Sequence, residues 1–69
     1  MKASKILIAK KIKAYREENR ITQLEFGKRM GVTPQAVYKW EKELSYPDIS
    51  LLPALAELLD CQIKDFFYT

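Results

Sequence analysis

Sixty-nine residues limit this chain to one domain, 1–69, near the lower size at which a core folds without disulfides or metals. Hydrophobic residues make up 48% of the sequence, which argues against disorder even with 30% charged residues. The chain has no histidine and a single cysteine, so we exclude an internal disulfide, a structural zinc site and a histidine-based catalytic site.

The net charge of +3 is divided unevenly along the chain. Residues 1–42 carry eleven lysines and arginines against four acidic residues, whereas residues 43–69 carry one lysine against five acidic residues. A basic front half and an acidic rear half suit a protein that presents one face to phosphate groups.

The N-terminal apolar run, Ile6 to Ala9, is too short for a signal peptide. No stretch of the sequence approaches the roughly 20 apolar residues of a membrane span. We therefore expect a cytoplasmic protein with no membrane partner.

The first predicted helix runs from about Ser4 to Glu18. Within it, Ile8, Ile12 and Tyr15 recur at the spacing i, i+4, i+7, which places them on one buried face.

The stretch from Thr22 to Glu41 reads as two short helices joined by a tight turn. Thr22 and Glu25 form a capping box at the start of the first helix, and Gly31 suits the left-handed conformation at its end. Thr33 followed by proline then predicts a second helix start, a hydroxyl cap before proline at the first helical position. Because the turn is so short, the two helices cross as in a helix-turn-helix.

The second helix of this motif has one apolar and one polar face. Val37 and Trp40, three residues apart, supply the buried face. Gly27 in the first helix leaves room for a close backbone approach. The opposite face of the second helix is left to long polar or cationic side chains, Gln35, Tyr38, Lys39 and Lys42. Together with the caps and the glycines, this pattern favours DNA recognition over an ordinary solvated helix face.

After the motif the sequence predicts a loop and two more helices. The fourth helix runs from about Leu51 to Leu59 and has Ser50 as its N-cap. A short fifth helix, about 63–67, closes the core with Ile63 and Phe66. Five helices and no strand pattern predict an all-α fold.

Eight residues follow a known family pattern: Thr22, Gln23, Gly27, Gly31, Val37, Trp40, Glu41 and Pro47. With them, the chain from about Ile8 to Phe66 resembles the helix-turn-helix of the Cro and phage-repressor (XRE-type) family. The resemblance implies a phage-repressor-like DNA-binding domain and a sequence-specific transcriptional regulator, expected to be a repressor.

The chain departs from the family pattern in three places. Gly27 has the small size that the pattern requires, but it replaces the usual alanine, which weakens that helix slightly. The glycine expected in the loop after the motif is absent, and Glu43 and Leu44 stand there instead. Asp60 replaces a common C-capping glycine.

The resemblance also implies roles for individual residues. Arg16 is expected to pair with Glu41, which ties the first helix to the end of the recognition helix. Gln23 is expected to bind phosphate at the N-terminus of the second helix and to brace Gln35.

The second helix of the motif, 34–41, is expected to lie in the major groove with its N-terminal residues against base edges. Gln35 is the best candidate for base reading, because its amide can pair with N6 and N7 of adenine. Lys39 can reach guanine O6 and N7 or a phosphate, and Tyr38 and Ala36 can touch a thymine methyl group or the backbone. The complete expected DNA-binding set is Gln23, Thr33, Gln35, Ala36, Tyr38, Lys39 and the phosphate contact Lys42.

We expect a twofold homodimer on a palindromic operator, because one short helix makes few base contacts. Three consecutive aromatic residues, Phe66, Phe67 and Tyr68, exceed what the core needs. Since successive helix residues point about 100° apart, Phe67 or Tyr68 faces outward when Phe66 faces inward. The C-terminal end is therefore the predicted dimer surface.

No phosphate-cradling glycine loop, nucleophile–base set or metal set is present, so we expect neither an enzyme nor a cofactor. Two alternative functions stay open. One is the antitoxin of a toxin–antitoxin pair, whose acidic rear or tail holds a toxin. The other is a helical protein-interaction module that kept the fold without DNA binding. Repression and activation are not distinguished by the sequence.

Overall fold

The computed structural model describes residues 5–68, and of residues 5 and 68 it describes only the backbone. The two ends of this described chain pair with each other. Strand β1 (Lys5–Ile6) lies antiparallel to strand β2 (Phe67–Tyr68). The N–H of Leu7 donates to the carbonyl oxygen of Phe66 at 2.7 Å and continues this pairing toward the core.

Helix α1 (Ile8–Asn19) starts later than the sequence predicts. The predicted start at Ser4 lies outside the described residues, and strand β1 occupies part of the predicted helix. Leu7 stands at the N-cap without a side-chain hydrogen bond, and the helix ends at Arg20, whose φ of 54° is left-handed. The prediction failed at this end because the backbone partners of β1 come from the other end of the chain.

Helix α2 (Gln23–Met30) has the termini that the sequence predicts. The Thr22 hydroxyl accepts from the N–H of Glu25 at 3.1 Å, and the Glu25 carboxylate accepts from the N–H of Thr22 at 3.0 Å. Gly31 ends the helix with a φ of 74°. The capping box and the left-handed glycine satisfy backbone groups that a short helix otherwise leaves unpaired.

Helix α3 (Pro34–Glu41) follows after a turn of three residues, as predicted. The Thr33 hydroxyl accepts from the N–H of Ala36 at 3.2 Å. The turn passes very close to α2: a Cβ placed on Gly27 would lie 2.6 Å from the carbonyl oxygen of Val32. The close approach predicted for Gly27 is therefore real, and its neighbour is the turn backbone.

The fourth helix begins differently from the prediction. A 3-10 turn (Ile49–Leu51) precedes α4 (Leu52–Leu58), and Asp48 caps that turn by accepting from the N–H of Ser50 at 3.1 Å. Ser50 is thus not the N-cap of the α-helix. Pro53 occupies the second position of α4, where a missing N–H costs nothing.

The predicted fifth helix is not an α-helix. The chain forms a 3-10 turn (Ile63–Phe66), in which Gln62 and Asp65 exchange hydrogen bonds, and then enters β2. Phe66 is fully buried, but Ile63 is 39% exposed and does not close the core. Residues 5–68 therefore contain four α-helices rather than five, and the all-α class holds apart from the two-residue strands.

The core contains residues from all four helices and from the 3-10 turn before β2. Five of its buried hydrophobic residues are ones that the sequence places in the core, namely Ile8, Ile12, Val37, Trp40 and Phe66, and Phe26, Leu55 and Ala56 complete it. The ring of Tyr15 packs edge-on against Phe26, with centroids 5.9 Å apart, and covers this core from α1. Among residues 5–68, no helix has the length and apolar character that crossing a bilayer requires.

Candidate nucleic-acid interface

Helix α3 is anchored by its apolar face. Val37 is fully buried and Trp40 is 5% exposed. The remaining long side chains of the helix and its C-cap are directed away from the core and exposed to solvent: Gln35, Tyr38, Lys39 and Lys42. The division between buried and exposed faces is the one that the sequence predicts.

The first turn of α3 combines a cap with a base-reading candidate. Thr33 is exposed, and its hydroxyl is already engaged by the N–H of Ala36. Ala36 is half-buried and packs against the core, so it presents only part of its methyl group outward. Gln35 is the first long exposed side chain of the helix, so its amide is accessible from solvent.

Gln23, at the start of α2, lies beside α3. It lines a shallow groove of about 220 Å³ together with Pro34, Gln35 and Tyr38. Its amide nitrogen donates to a carboxylate oxygen of Glu41 at 3.3 Å. The resemblance implies that Gln23 braces Gln35; in the structure the two share one groove, while the hydrogen bond of Gln23 goes to Glu41.

An ion pair fixes the far end of α3. The guanidinium of Arg16 in α1 donates to both carboxylate oxygens of Glu41, at 2.6 and 2.9 Å, and to the carbonyl oxygen of Ile21 at 3.1 Å. The Arg16 and Glu41 side chains are only 18% and 6% exposed. Burial alone would raise the pKa of Glu41, but hydrogen bonds from Arg16 and Gln23, with the Arg16 charge, lower it below the ordinary value. The hydrogen bond to Glu41 raises the pKa of Arg16.

The last turn of α3 holds a second pairing that the sequence analysis missed. The ammonium nitrogen of Lys42 lies 5.9 Å from the centroid of the Tyr38 ring. Their separation of four residues on one helix is a signal that could have revealed the contact. The pairing holds the aromatic ring and the cation together on the exposed face.

Beyond the helix, the chain turns at Glu43, whose φ is 59°. Glycine adopts this left-handed conformation more easily than other residues do, and the resemblance leads us to expect a glycine in this loop. The N–H of Leu44 donates to the carbonyl oxygen of Lys39 at 2.9 Å and closes the turn. A glutamate therefore has a left-handed backbone conformation in the loop where a glycine was expected, at a steric cost.

These features define a helix-turn-helix domain. The sequence profile of the helix-turn-helix family matches residues 12–66, and the chain belongs to this family, in its Cro/C1 (XRE) branch. Among solved structures, it is similar to the crystal structure of the P22 c2 repressor protein in complex with synthetic operator 9T in the presence of Tl⁺. The TM-score is 0.78 at 31% sequence identity, and the match covers 90% of this chain and 94% of that chain. No curated protein sequence matches the chain. The family resemblance and the phage-repressor fold predicted from the sequence are confirmed.

Proposed function

We propose that this protein is a sequence-specific, double-stranded DNA-binding transcriptional repressor that inserts α3 into the major groove. The observation that carries the proposal is the exposed polar face of α3 on a helix-turn-helix fold similar to that of a repressor solved on operator DNA. The partly buried ion pair between Arg16 and Glu41 supports it, because it ties the end of this helix to α1.

Base reading falls to the N-terminal half of α3. Gln35 pairs its amide with N6 and N7 of adenine, the bidentate contact that its donor and acceptor allow. Lys39, one turn later on the exposed face, donates to guanine O6 and N7 or to a phosphate. Ala36 offers part of its methyl group to a thymine methyl.

Residues on either side of α3 position the protein on the DNA backbone. Gln23 and the first N–H groups of α2 face a phosphate, where the helix dipole also favours negative charge. Thr33 stands at the corresponding end of α3. Lys42 supplies a cation at the far end and fixes orientation without reading sequence.

The repressor acts as a homodimer through its C-terminal end. Phe66 is fully buried while Phe67 is 41% exposed. Phe67 has the extended dihedral angles φ −125° and ψ 142°, so neighbouring side chains alternate between the two faces of the strand. The outward aromatic was predicted from helical geometry, and strand geometry gives the same result. The side chain of Tyr68, the third predicted member of this surface, lies outside the described residues.

Selection of bound duplexes from a random DNA pool tests this proposal. We expect an enriched palindrome whose half-sites lie roughly 34 Å apart, centre to centre. Affinity for the selected duplex should exceed that for a scrambled duplex and fall as salt rises. A reporter promoter overlapping the selected site should be transcribed less when the protein is present.

Two results would overturn the proposal in different ways. If no sequence is enriched and no salt-sensitive DNA binding is detected, the result would favour a protein-interaction module. Higher transcription from the reporter would instead mark an activator.

A further inference from the structure

A small recess lies between α1 and the residues that follow α4, and its volume is about 190 Å³. We name it the Lys11 pocket. Two charged, two apolar, one aromatic and one thiol side chain line it: Lys11, Glu18, Ala14, Leu59, Tyr15 and Cys61. None of these residues belongs to the set assigned to DNA, so neither base reading nor phosphate contact accounts for the recess.

One face of α1 supplies most of the pocket. Four of the lining residues stand at the relative positions i, i+3, i+4 and i+7 of this helix, which lie one above the other on a single face. Lys11 and Glu18 are the first and last of them, so they mark two ends of the pocket about 10 Å apart along the helix axis. Between these charged ends lie Ala14 and Tyr15, and Leu59 faces them from the end of α4.

The Lys11 end of the pocket is positively charged. Lys11 is half-buried, yet among residues 6–67 the ion pair that ties α1 to α3 is the only one. Burial raises the pKa of the Cys61 thiol, and nearby Asp65 and Asp60 add to this while the Lys11 charge opposes it. The thiol is therefore neutral near pH 7 and does not compensate the ammonium group. A partly desolvated cation without a paired carboxylate favours an anionic ligand.

Tyr15 gives the pocket an aromatic wall that its neighbours hold in place. The Tyr15 hydroxyl accepts a hydrogen bond from the guanidinium of Arg29 in α2 at 2.9 Å. The Tyr15 ring packs edge-on against Phe26, with centroids 5.9 Å apart. A wall that is already fixed loses little side-chain freedom when a ligand binds. The size of the pocket also suits one aromatic ring, because an apolar cavity of about 150 Å³ holds a benzene molecule.

We propose that the Lys11 pocket binds a small monocarboxylate with a compact apolar body, of which benzoate is the simplest aromatic example. The carboxylate pairs with the Lys11 ammonium, and the apolar body lies between Ala14, Tyr15 and Leu59. Glu18 at the far end repels a second carboxylate and so limits the ligand to one. The pocket is separate from the proposed DNA-binding surface, so its occupancy can be measured without DNA.

Thermal unfolding with three small probes tests this assignment. Benzoate carries both a carboxylate and a ring, acetate carries only the carboxylate, and benzyl alcohol carries only the ring. Benzoate at about ten times its dissociation constant should raise the Tm of the wild-type protein by about 5 to 10 °C. Acetate and benzyl alcohol, at the same concentration and ionic strength, should raise it far less.

Three variants locate the response. Lys11→Met keeps a long side chain but removes its charge, and it should abolish the rise with benzoate. Lys10→Met is the matched control, since Lys10 is an exposed lysine of the same helix outside the pocket, and it should keep the wild-type response. Ala14→Leu fills the pocket from an exposed helical position that accepts leucine well, and it should also abolish the response.

Amide resonances measured in a benzoate titration show where the probe binds. We expect the largest shifts at Ala14, Leu59 and Cys61. Shifts confined to α3 would show an adventitious anion on the DNA-binding surface and would overturn the assignment. Equal responses to benzoate and acetate, no response to benzoate, or a response that persists in Lys11→Met and Ala14→Leu would overturn it as well. None of these results bears on DNA binding, which the selection of duplexes tests separately.

Discussion

Arg16 and Glu41, 25 positions apart in the sequence, join the last turn of α1 to the last residue of α3 through two parallel hydrogen bonds of 2.6 and 2.9 Å. The same guanidinium donates to the carbonyl oxygen of Ile21, in the linker before α2. One side chain therefore fixes three segments of the domain, and α3 keeps its orientation relative to α1. A bidentate pair of this kind gives geometric precision as well as energy.

Replacement of Arg16 should destabilise the fold. Arg16→Met leaves the largely buried carboxylate of Glu41 without a cation, and we expect the free energy of unfolding to fall by about 2 to 4 kcal/mol. Lys10→Met, at an exposed position of α1, should change stability by less than about 0.5 kcal/mol. The double variant Arg16→Met/Glu41→Leu should recover most of the loss, because no buried charge remains. Urea unfolding measures all three, and equal losses in the Arg16 and Lys10 variants would contradict a structural role for the pair.

The same pair should make stability depend on acid. The pKa of Glu41 is lower in the folded protein than its value of about 4.3 in an unfolded chain. The unfolded state therefore binds more protons in the acidic range, and stability falls as pH drops through and below that value. Above about pH 6 the contribution is complete and constant. Thermal unfolding between pH 3 and pH 7 should show a shallower acid decline for Glu41→Gln than for wild type, and parallel curves would contradict this origin.

Two acidic residues occupy left-handed backbone positions at a cost. The φ angles of Glu43 and Asp60 are 59° and 55°, which glycine adopts without a Cβ clash. Glu43→Gly and Asp60→Gly should each raise the free energy of unfolding by about 0.5 to 1 kcal/mol. Glu57→Gly, inside α4, should instead lower it by about 1 kcal/mol. Destabilisation by all three glycines would show that unfolded-chain entropy outweighs the strain at the turns.

Sequence patterns predicted the helix-turn-helix well because the ends of its helices are determined by residues close to them in the sequence. The caps at Thr22 and Thr33 and the left-handed Gly31 each involve residues at most a few positions away. The apolar faces of α1 and α3 likewise follow helical spacing, and Ile8, Ile12, Val37 and Trp40 on these faces are buried.

The ends of the chain could not be predicted in the same way. Strands β1 (Lys5–Ile6) and β2 (Phe67–Tyr68) are each two residues long. They pair with each other although they lie near opposite ends of the sequence. Two residues are too few to show the alternating pattern of a strand. The sequence therefore predicted that the neighbouring helices include these residues. The hydrogen bond from Gln23 to Glu41 was also missed, since its geometry depends on how α2 and α3 pack.

Base reading and backbone positioning should separate in mutants of the DNA-contacting residues. Gln35→Ala should cost about 1 to 3 kcal/mol at the selected site and relax preference at one base position. Lys42→Ala should weaken all duplexes alike and reduce the slope of affinity against salt by about one. Lys64→Ala, which removes an exposed lysine from the acidic half, should change neither. If Gln35→Ala and Lys42→Ala each lost the same affinity on selected and on random DNA, the assignment of Gln35 to base reading and of Lys42 to phosphate contact would be contradicted.

The C-terminal aromatic surface should control how two copies share an operator. Phe67 is 41% exposed next to the fully buried Phe66, so truncating it removes outward apolar area while the core residue stays in place. The available surface is small, so the dimer should form mainly on DNA, where both half-sites hold the partners together. Wild type should bind a palindromic site with a stoichiometry of two and with cooperativity between half-sites, and Phe67→Ala should lose that cooperativity while keeping half-site affinity. Ile49→Ala, which trims a side chain that is 80% exposed in the turn before α4, should behave as wild type. Titrations that give one protein per palindrome, or equal cooperativity in wild type and Phe67→Ala, would place the interface elsewhere.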